Sequence, residues 1–277
     1  MDGVISDFEV TEEMLAHFIN KAVKISKKRG RPRVVIGVPS SITNVETRAV
    51  RDAAMNAGAR EVYIVEEPMA AAIGIRLPVK EPVGSMIIDI GGGTTDIAVI
   101  SLSGIVNSKN LKIAGDRFNT DIISYIRDEF KILIGERTAE NVKIAIGSVM
   151  KPKEPMEAAI RGRDLLTGLP REVIVTDADI REAILPSIQV LVESTKEVLE
   201  TTPPEILSDV MNRGIVLVGG GALIIGLAEL LQQTLKIPVT TSDDPLTAVA
   251  RGTGIVIEDI DGFREVLIEH DNELPPR

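Results

Sequence analysis

The chain has no cysteine and no tryptophan, only two histidines, and aromatics at 3% of its 277 residues. Without thiols neither a disulfide framework nor a cysteine-based zinc site is available, and two histidines are too few for most alternatives. Such a composition fits a reducing compartment. Basic residues are the scarcer charge: 31 Lys and Arg stand against 41 Asp and Glu, and the resulting net charge of -10 argues against nucleic acid as the main partner. Long apolar runs are lacking as well. The nearest, IVLVGGGALIIGLAELL at 215–231, carries four glycines and Glu229 in about the length a spanning helix needs, and reads as strand, turn and helix. The opening residues MDGVISDFEV show no basic segment ahead of an apolar one, so they do not read as a secretory signal, and the expectation is a cytoplasmic protein. What remains, 44% hydrophobic and 26% charged, is ordinary for a globular chain with two cores or one large one.

Periodicity divides the chain into alternating elements. Residues 11–28 place Met14, Leu15, Phe18, Ile19, Ala22 and Ile25 at helical spacing behind Thr11 as a cap. RVVIGVP then predicts a buried strand, NVETRAVRDAAMNAG a helix ending at Gly58, EVYIVEE a strand, and PMAAAIG a short helix opened by Pro68. After the linker LPVKEP come a strand-turn-strand unit at 86–102 and a further strand around 111–114. FNTDIISYIRDEFKILIG and TAENVKIAIGSV predict helices, and residues 151–176 a small β insertion around the turn signal LLTGLP. DADIREAILPSIQVLVESTKEVLETTPPEI returns to helix, bent at Pro186 and stopped by Pro203 and Pro204. The last third predicts strand GIVLV, helix LAELLQQTL, strand PVTTS and helix PLTAVARGTGIVIE, with no short-period repeat.

Four stretches carry candidate chemistry. In SMIIDIGGGTTDIAVIS the glycines can adopt positive φ and turn several N–H groups toward one point, with two threonine hydroxyls as further donors, which suits phosphate oxygens. Asp89, two residues earlier, is placed to meet a hydrated Mg²⁺. A plain Gly-rich hairpin is the alternative, and neither the Walker A pattern nor the dinucleotide fingerprint is matched. VGGGALIIGLAELL runs from strand into helix, so that Gly219 to Leu223 would let a ligand approach backbone at a positive helix end; tight packing alone would also explain it. Glu66 and Glu67 stand at a strand end before a helix of small residues, as solvated acids or as a base. Glu140 and Lys143 share a helix face at i, i+3, as a grip for ribose hydroxyls or as a surface ion pair.

Together and in this order, the stretches resemble the nucleotide-binding core shared by actin, the heat-shock chaperone ATPases and sugar kinases. VVIGVPSSITNVETRAV, EEPMAAAIG, IIDIGGGTTDIAVISL, IGERTAENVKIAIG, TGLPREV, and LVGGGALIIGL followed by DPLTAVARGTG look like the MreB family, the bacterial actins that shape rods, over residues 3 to about 265. The resemblance implies an α/β, actin-like (ribonuclease H-like) fold with mixed sheets and helices on both faces. It implies a remainder of domain I at 1–81 and 246–277, domain IIA with the nucleotide cleft at 82–117 and 178–245, and a small subdomain IIB at 118–177. By the same resemblance Gly91, Gly92, Gly93 and Thr94 hold the β/γ-phosphates of ATP, with Asp89 near Mg²⁺. Thr94 and Glu67 orient the attacking water, a matter of positioning and polarisation. Glu140, Asn141, Val142 and Lys143 meet the ribose side of the nucleotide, Gly219, Gly220, Gly221, Ala222 and Leu223 the adenosine, and Gly115 in IAGDRF borders the cleft.

The family opens with a strand-turn-strand carrying Asp-x-Gly-Thr, the first phosphate loop, which does not precede MDGVISDFEV here. The expectation is therefore a shortened chain with an incomplete first domain and an opened sheet edge, which contacts nucleotide but leaves hydrolysis open. As partners the resemblance implies the chain itself, as a filament, together with the anionic inner face of the cell membrane and the cell-wall elongation machinery. KAVKISKKRGRPR at 21–33 packs seven basic residues beside Val23 and Ile25 and would attract anionic lipid, unless it is a solvated loop; the aromatic or leucine pair that inserts into lipid in some relatives is not apparent there. No substrate-binding domain of a chaperone fits after ARGTGIVIEDIDGFREVL. A small-molecule kinase of the same superfold and a non-hydrolysing interaction module are the other readings.

Overall fold

A computed structural model describes residues 7–26 and 30–268. Lys27, Lys28 and Arg29 of the basic stretch lie outside the described residues. The chain opens with α1 (Phe8–Ser26), β1 (Arg33–Val38), α2 (Asn44–Asn56), β2 (Glu61–Glu66) and α3 (Glu67–Gly74). The cap of α1 is Asp7, not Thr11: its Oδ1 accepts from the Val10 amide at 3.1 Å, while Thr11 sits inside the first turn. Only part of the expected apolar stripe is used. Leu15 and Ile19 pack on a core of Val38, Ala54, Ala59, Val62 and Ile64, whereas Met14, Phe18 and Ile25 are exposed. Thr43 and Glu46 form a reciprocal capping box that starts α2. β1 and β2 pair in parallel from Arg33–Glu61 to Val38–Glu66, and among the described residues this is a two-stranded sheet.

Then come β3 (Ser85–Ile90), β4 (Thr95–Ser101), β5 (Gly104–Leu111), α4 (Gly115–Phe130), β6 (Ile132–Leu133), α5 (Glu136–Ile146), β7 (Glu157–Asp164), β8 (Pro170–Thr176), α6 (Asp177–Thr201), α7 (Pro204–Arg213), β9 (Ile215–Val218), α8 (Leu227–Leu235) and β10 (Val239–Thr241). The last helix is α9 (Ala248–Glu258). Three elements differ from the sequence expectation. The strand placed at 111–114 lies earlier, as β5, because Leu102 and Ser103 take positive φ (50° and 62°) and close a two-residue hairpin without the usual Asn-Gly signal. The helix expected to run to Gly135 stops at Phe130: Lys131 is left-handed and Ile132–Leu133 pair with Asp164 and Arg163 of β7. Pro203 and Pro204 do end α6, but Pro204 also opens α7 at its first turn, where a missing N–H costs nothing.

The described residues form two units: one built from residues up to Val83, Ile100–Ile105 and those from Thr247 on, the other from Gly84–Val99 and Val106–Leu246. The second holds a five-stranded sheet, β10-β9-β3-β4-β5, and a three-stranded sheet, β6-β7-β8. Every residue of β3 and β4 is buried, as strands covered on both faces must be, so their apolar runs are continuous rather than alternating. β9 runs parallel to β3 with Asp89 opposite Val218, so the two strands end side by side. That shared end positions everything described next.

Candidate functional site

The carboxyl ends of adjacent parallel strands are where open α/β sheets take ligands, and here each of the two ends leads into a glycine turn. After β3, the Gly91 amide closes on Thr94 O at 3.0 Å, while the carbonyls of Gly91 and Gly92 accept from the amides of Gly115 (3.1 Å) and Asp116 (2.8 Å) at the start of α4. Among the described residues no peptide bond is cis, and a trans peptide points its N–H opposite to its C=O. The N–H groups of Gly92 and Gly93 therefore point away from α4, side by side, a pair of donors aimed at one locus. None of these three glycines takes positive φ, contrary to the expectation; their absence of side chain serves space instead. A Cβ at Gly92 would meet nothing within 4 Å, so the room belongs to whatever approaches the turn.

After β9, Gly219 has φ 78° and the chain enters a 3-10 turn, Gly220–Leu223, before α8 begins at Leu227. The direct strand-to-helix passage expected from the sequence is thus split by that short turn. Gly219 and Gly221 are demanded by β3. A Cβ at Gly219 would lie 2.4 Å from Ile90 O and 2.5 Å from Asp89 Oδ1, and one at Gly221 2.2 Å from Ile90 Cγ2. The second turn therefore rests directly on the residues that lead into the first. Ala222 is buried, Gly220 and Leu223 exposed.

α4 and α5 supply the third side. Lys143 Nζ donates to Gly115 O at 3.1 Å and to Glu140 Oε2 at 2.7 Å, and Glu140 Oε2 accepts from Asn119 Nδ2 at 2.6 Å. A Cβ on Gly115 would come within 3.3 Å of Lys143 Nζ and 3.5 Å of Gly92 Cα, so the cluster adjoins the glycine turn. Burial alone would raise the Glu140 carboxyl, but hydrogen bonds from Lys143 and Asn119 outweigh it and hold it below the usual range. Asn141 and Val142 are not part of this cluster. Neighbouring helix positions point about 100° apart, and these two line a separate cleft of ≈ 450 Å³ with Thr138, Ala145 and Ile160, Val142 also packing in the core.

Asp89 is buried, and burial, followed by the charge of Asp96, pushes its carboxyl up to about 6. Asp96 is buried too and accepts from Asn110 Nδ2 at 3.0 Å. Among the described residues no cluster of three or more His, Cys, Asp or Glu forms a metal site. Two carboxylates suffice for Mg²⁺, which keeps waters and takes phosphate oxygens, and a cation would relieve their repulsion. Glu67, half-buried at the start of α3, belongs to the first unit. Sequence reasoning misses Asn119 and Asp96. A signal for Asn119 exists, since it falls among Phe118, Ile122 and Ile126 on the buried face of α4, and its Oδ1 is a buried acceptor without a partner.

The geometry is a pair of backbone-lined turns and a Lys-Glu-Asn cluster facing one strand end. The sequence profile of the MreB/Mbl protein family matches residues 1–265. The chain belongs to the MreB/Mbl family. The cell shape-determining protein Mbl of Bacillus subtilis (strain 168) is 48% identical over 260 residues, covering 94% of this chain and 78% of that protein. The cell shape-determining protein MreB of Escherichia coli (strain K12) is 51% identical over 260 residues, 94% of this chain and 75% of that one. Among solved structures, MreB5 of Spiroplasma citri bound to ADP superimposes with TM-score 0.90 at 38% identity, over 96% of this chain and 79% of that chain. The MamK double helical filament matches with TM-score 0.79 at 26% identity, over 94% and 79%. The α/β fold of this MreB/Mbl chain is thus actin-like.

Proposed function

We propose that this chain is a cytoskeletal protein that binds ATP with Mg²⁺ through its second unit and polymerises into filaments that direct cell shape at the inner face of the cell membrane. The observation that carries this reading is the meeting of the Gly91–Thr94 turn, the Gly219–Leu223 turn and the Asn119–Glu140–Lys143 cluster at the ends of β3 and β9. The paired amides of Gly92 and Gly93 and the Thr94 hydroxyl suit phosphate oxygens, the half-exposed Glu140 carboxylate, steadied by Asn119 and Lys143, suits ribose hydroxyls, and the open 3-10 turn suits a base. Bound beside Asp89, Mg²⁺ would supply charge neutralisation to the phosphates. Relatives named for cell shape, the ADP- and AMPPNP-bound MreB5 structures and the MamK filament support the same reading. Thr94 and Glu67 are the residues we assign to water orientation in hydrolysis.

For the membrane, no helix among the described residues is long and apolar enough to cross one. Attachment would be peripheral, through Lys21, Lys24, Arg31 and Arg33 around the exposed Ile25. Calorimetric titration with Mg²⁺ and the non-hydrolysable analogue AMPPNP tests the site. Saturable one-to-one binding is expected, weakened about tenfold or more by Lys143→Ala, which removes a charge-assisted contact of about 1.5–3 kcal/mol. A folded protein that gives no heat, or a Lys143→Ala variant with unchanged affinity, would overturn it.

A further inference from the structure

Asn119 is an amide set into an apolar face. It lies among Phe118, Ile122 and Ile126 on the buried side of α4 and is itself 4% exposed. Its Nδ2 donates to Glu140 Oε2 at 2.6 Å, while its Oδ1 is buried and has no partner among the described residues. A buried acceptor left unpaired costs stability, and a leucine, of similar size, would fill the position without that cost. An orphaned group of this kind calls for a use, and the use must lie at the other end of the amide, the donor.

That donor completes an uneven arrangement at Glu140. Asn119 Nδ2 and Lys143 Nζ (2.7 Å) both donate to Oε2, and Oε1 has no partner among the described residues. The Glu140 side chain is 43% exposed, so its i, i+3 pair with Lys143 would by itself hold it loosely. Lys143 is fixed in turn, 9% exposed and bonded to Gly115 O, and Asn119 is fixed by burial. Donors from two helices, α4 and α5, thus converge on one oxygen and pin the carboxylate, leaving the other oxygen for a ligand. An ionised carboxylate only accepts, so Oε1 selects a ligand group that donates: a sugar hydroxyl satisfies it, and a deoxy carbon leaves it unpaired.

We infer that Asn119 is a positioning residue for sugar recognition: by holding Glu140 Oε2 it fixes Oε1 as the acceptor that distinguishes a ribose from a deoxyribose. Being buried, Asn119 acts only through Glu140. The inference rests on the nucleotide reading above and names what sets its sugar specificity. It also accounts for the unpaired Oδ1, since an amide is kept here for its donor at the expense of stability.

Calorimetric titration of the full chain with Mg²⁺ and ADP, 2′-deoxy-ADP or 3′-deoxy-ADP tests it. The wild-type chain should bind ADP about tenfold or more tighter than at least one deoxy form, the ratio expected for one hydrogen bond to a charged group. Asn119→Leu should reduce that ratio to under about threefold, as for a loosely held exposed carboxylate. It should also melt no lower than wild type, because it removes a buried unpaired oxygen. A merely structural role would lower the melting temperature and leave the ratio alone, so the ratio decides. Asn119→Ala is the second variant should the leucine form not fold, and it must collapse the ratio as well. A wild-type chain that binds ADP and both deoxy forms alike overturns the inference and leaves nucleotide binding standing. So does a ratio that survives in a folded Asn119 variant, which would mean that Glu140 reads the sugar unaided. A folded wild-type chain that binds none of the three overturns the nucleotide reading along with the inference.

Discussion

Asp89 is the residue whose surroundings oppose its chemistry most. It is ionisable, buried, and near a second buried acid, Asp96. Its pKa of about 6 in the fold, against an ordinary value of 3.8, means that between those pH values the folded protein holds a proton the unfolded chain has released. The contribution to stability is therefore most favourable below the unfolded value and is lost as pH rises through about 6. Above that, the ionised carboxylate costs on the order of 2–3 kcal/mol in the absence of a cation. Asp89→Asn removes the charge at nearly constant volume. It should raise the melting temperature of the nucleotide-free protein at pH 7.5, with the gain shrinking toward pH 4.5, and should abolish the Mg²⁺-dependent part of nucleotide affinity. Melts at the two pH values and titrations with and without Mg²⁺ check this. A variant that melts like wild type at both pH values and keeps its Mg²⁺ dependence would show that Asp89 faces no cation.

The packing of α3 against α9 depends on one glycine from each helix, Gly74 and Gly252. A Cβ at Gly252 would lie 1.7 Å from Ala70 O, and one at Gly74 2.0 Å from Ala248 O, so α3 and α9 touch backbone to backbone in the first unit. The small buried residues of EPMAAAIG exist for that approach. Gly252→Ala must push the helices apart and should cost about 1–3 kcal/mol. Gly254, in the same helix, would have nothing within 4 Å of an added Cβ, so Gly254→Ala should be neutral or stabilise by up to about 1 kcal/mol through helix propensity. Urea unfolding of both variants measures the difference, and equal effects would refute the close packing. This contrast also shows what a sequence can display. The glycine turns, the small-residue helix and the Glu140–Lys143 pair are legible as local structure because turn glycines, a run of alanines and an i, i+3 spacing act within a few residues of chain, whereas each pattern alone leaves its use open. The β4–β5 turn is not, because Leu102 and Ser103 take a left-handed conformation only under the pull of the pairing strands. The end of α4 is hidden likewise, since Ile132 joins β7, an element far along the chain. Asn119 escapes notice because one polar residue on an apolar face looks like noise until Glu140 is seen beside it.

At the scale of the whole chain, all the site residues that the structure brings together belong to the second unit, from Asp89 through Lys143 to Leu223. Binding energy supplied by these residues should therefore stabilise that unit first. A ligand that binds only the folded state slows exchange of amides that open by global unfolding by the factor 1 + [L]/Kd, about 100-fold, or about 2.7 kcal/mol, at 100 Kd. Amides of β3, β4 and β9, buried in the five-stranded sheet, are the slowest candidates and should show that full factor with saturating Mg²⁺ and AMPPNP. Amides of β2 and α3 in the first unit should slow less. The gap between the two sets measures how much of the nucleotide is held by the second unit alone, and hydrogen exchange by mass spectrometry resolves both in one experiment. Equal slowing in the two units would mean that residues such as Glu67 carry a matching share of the binding energy, and the assignment of the nucleotide to the β3–β9 end alone would fail.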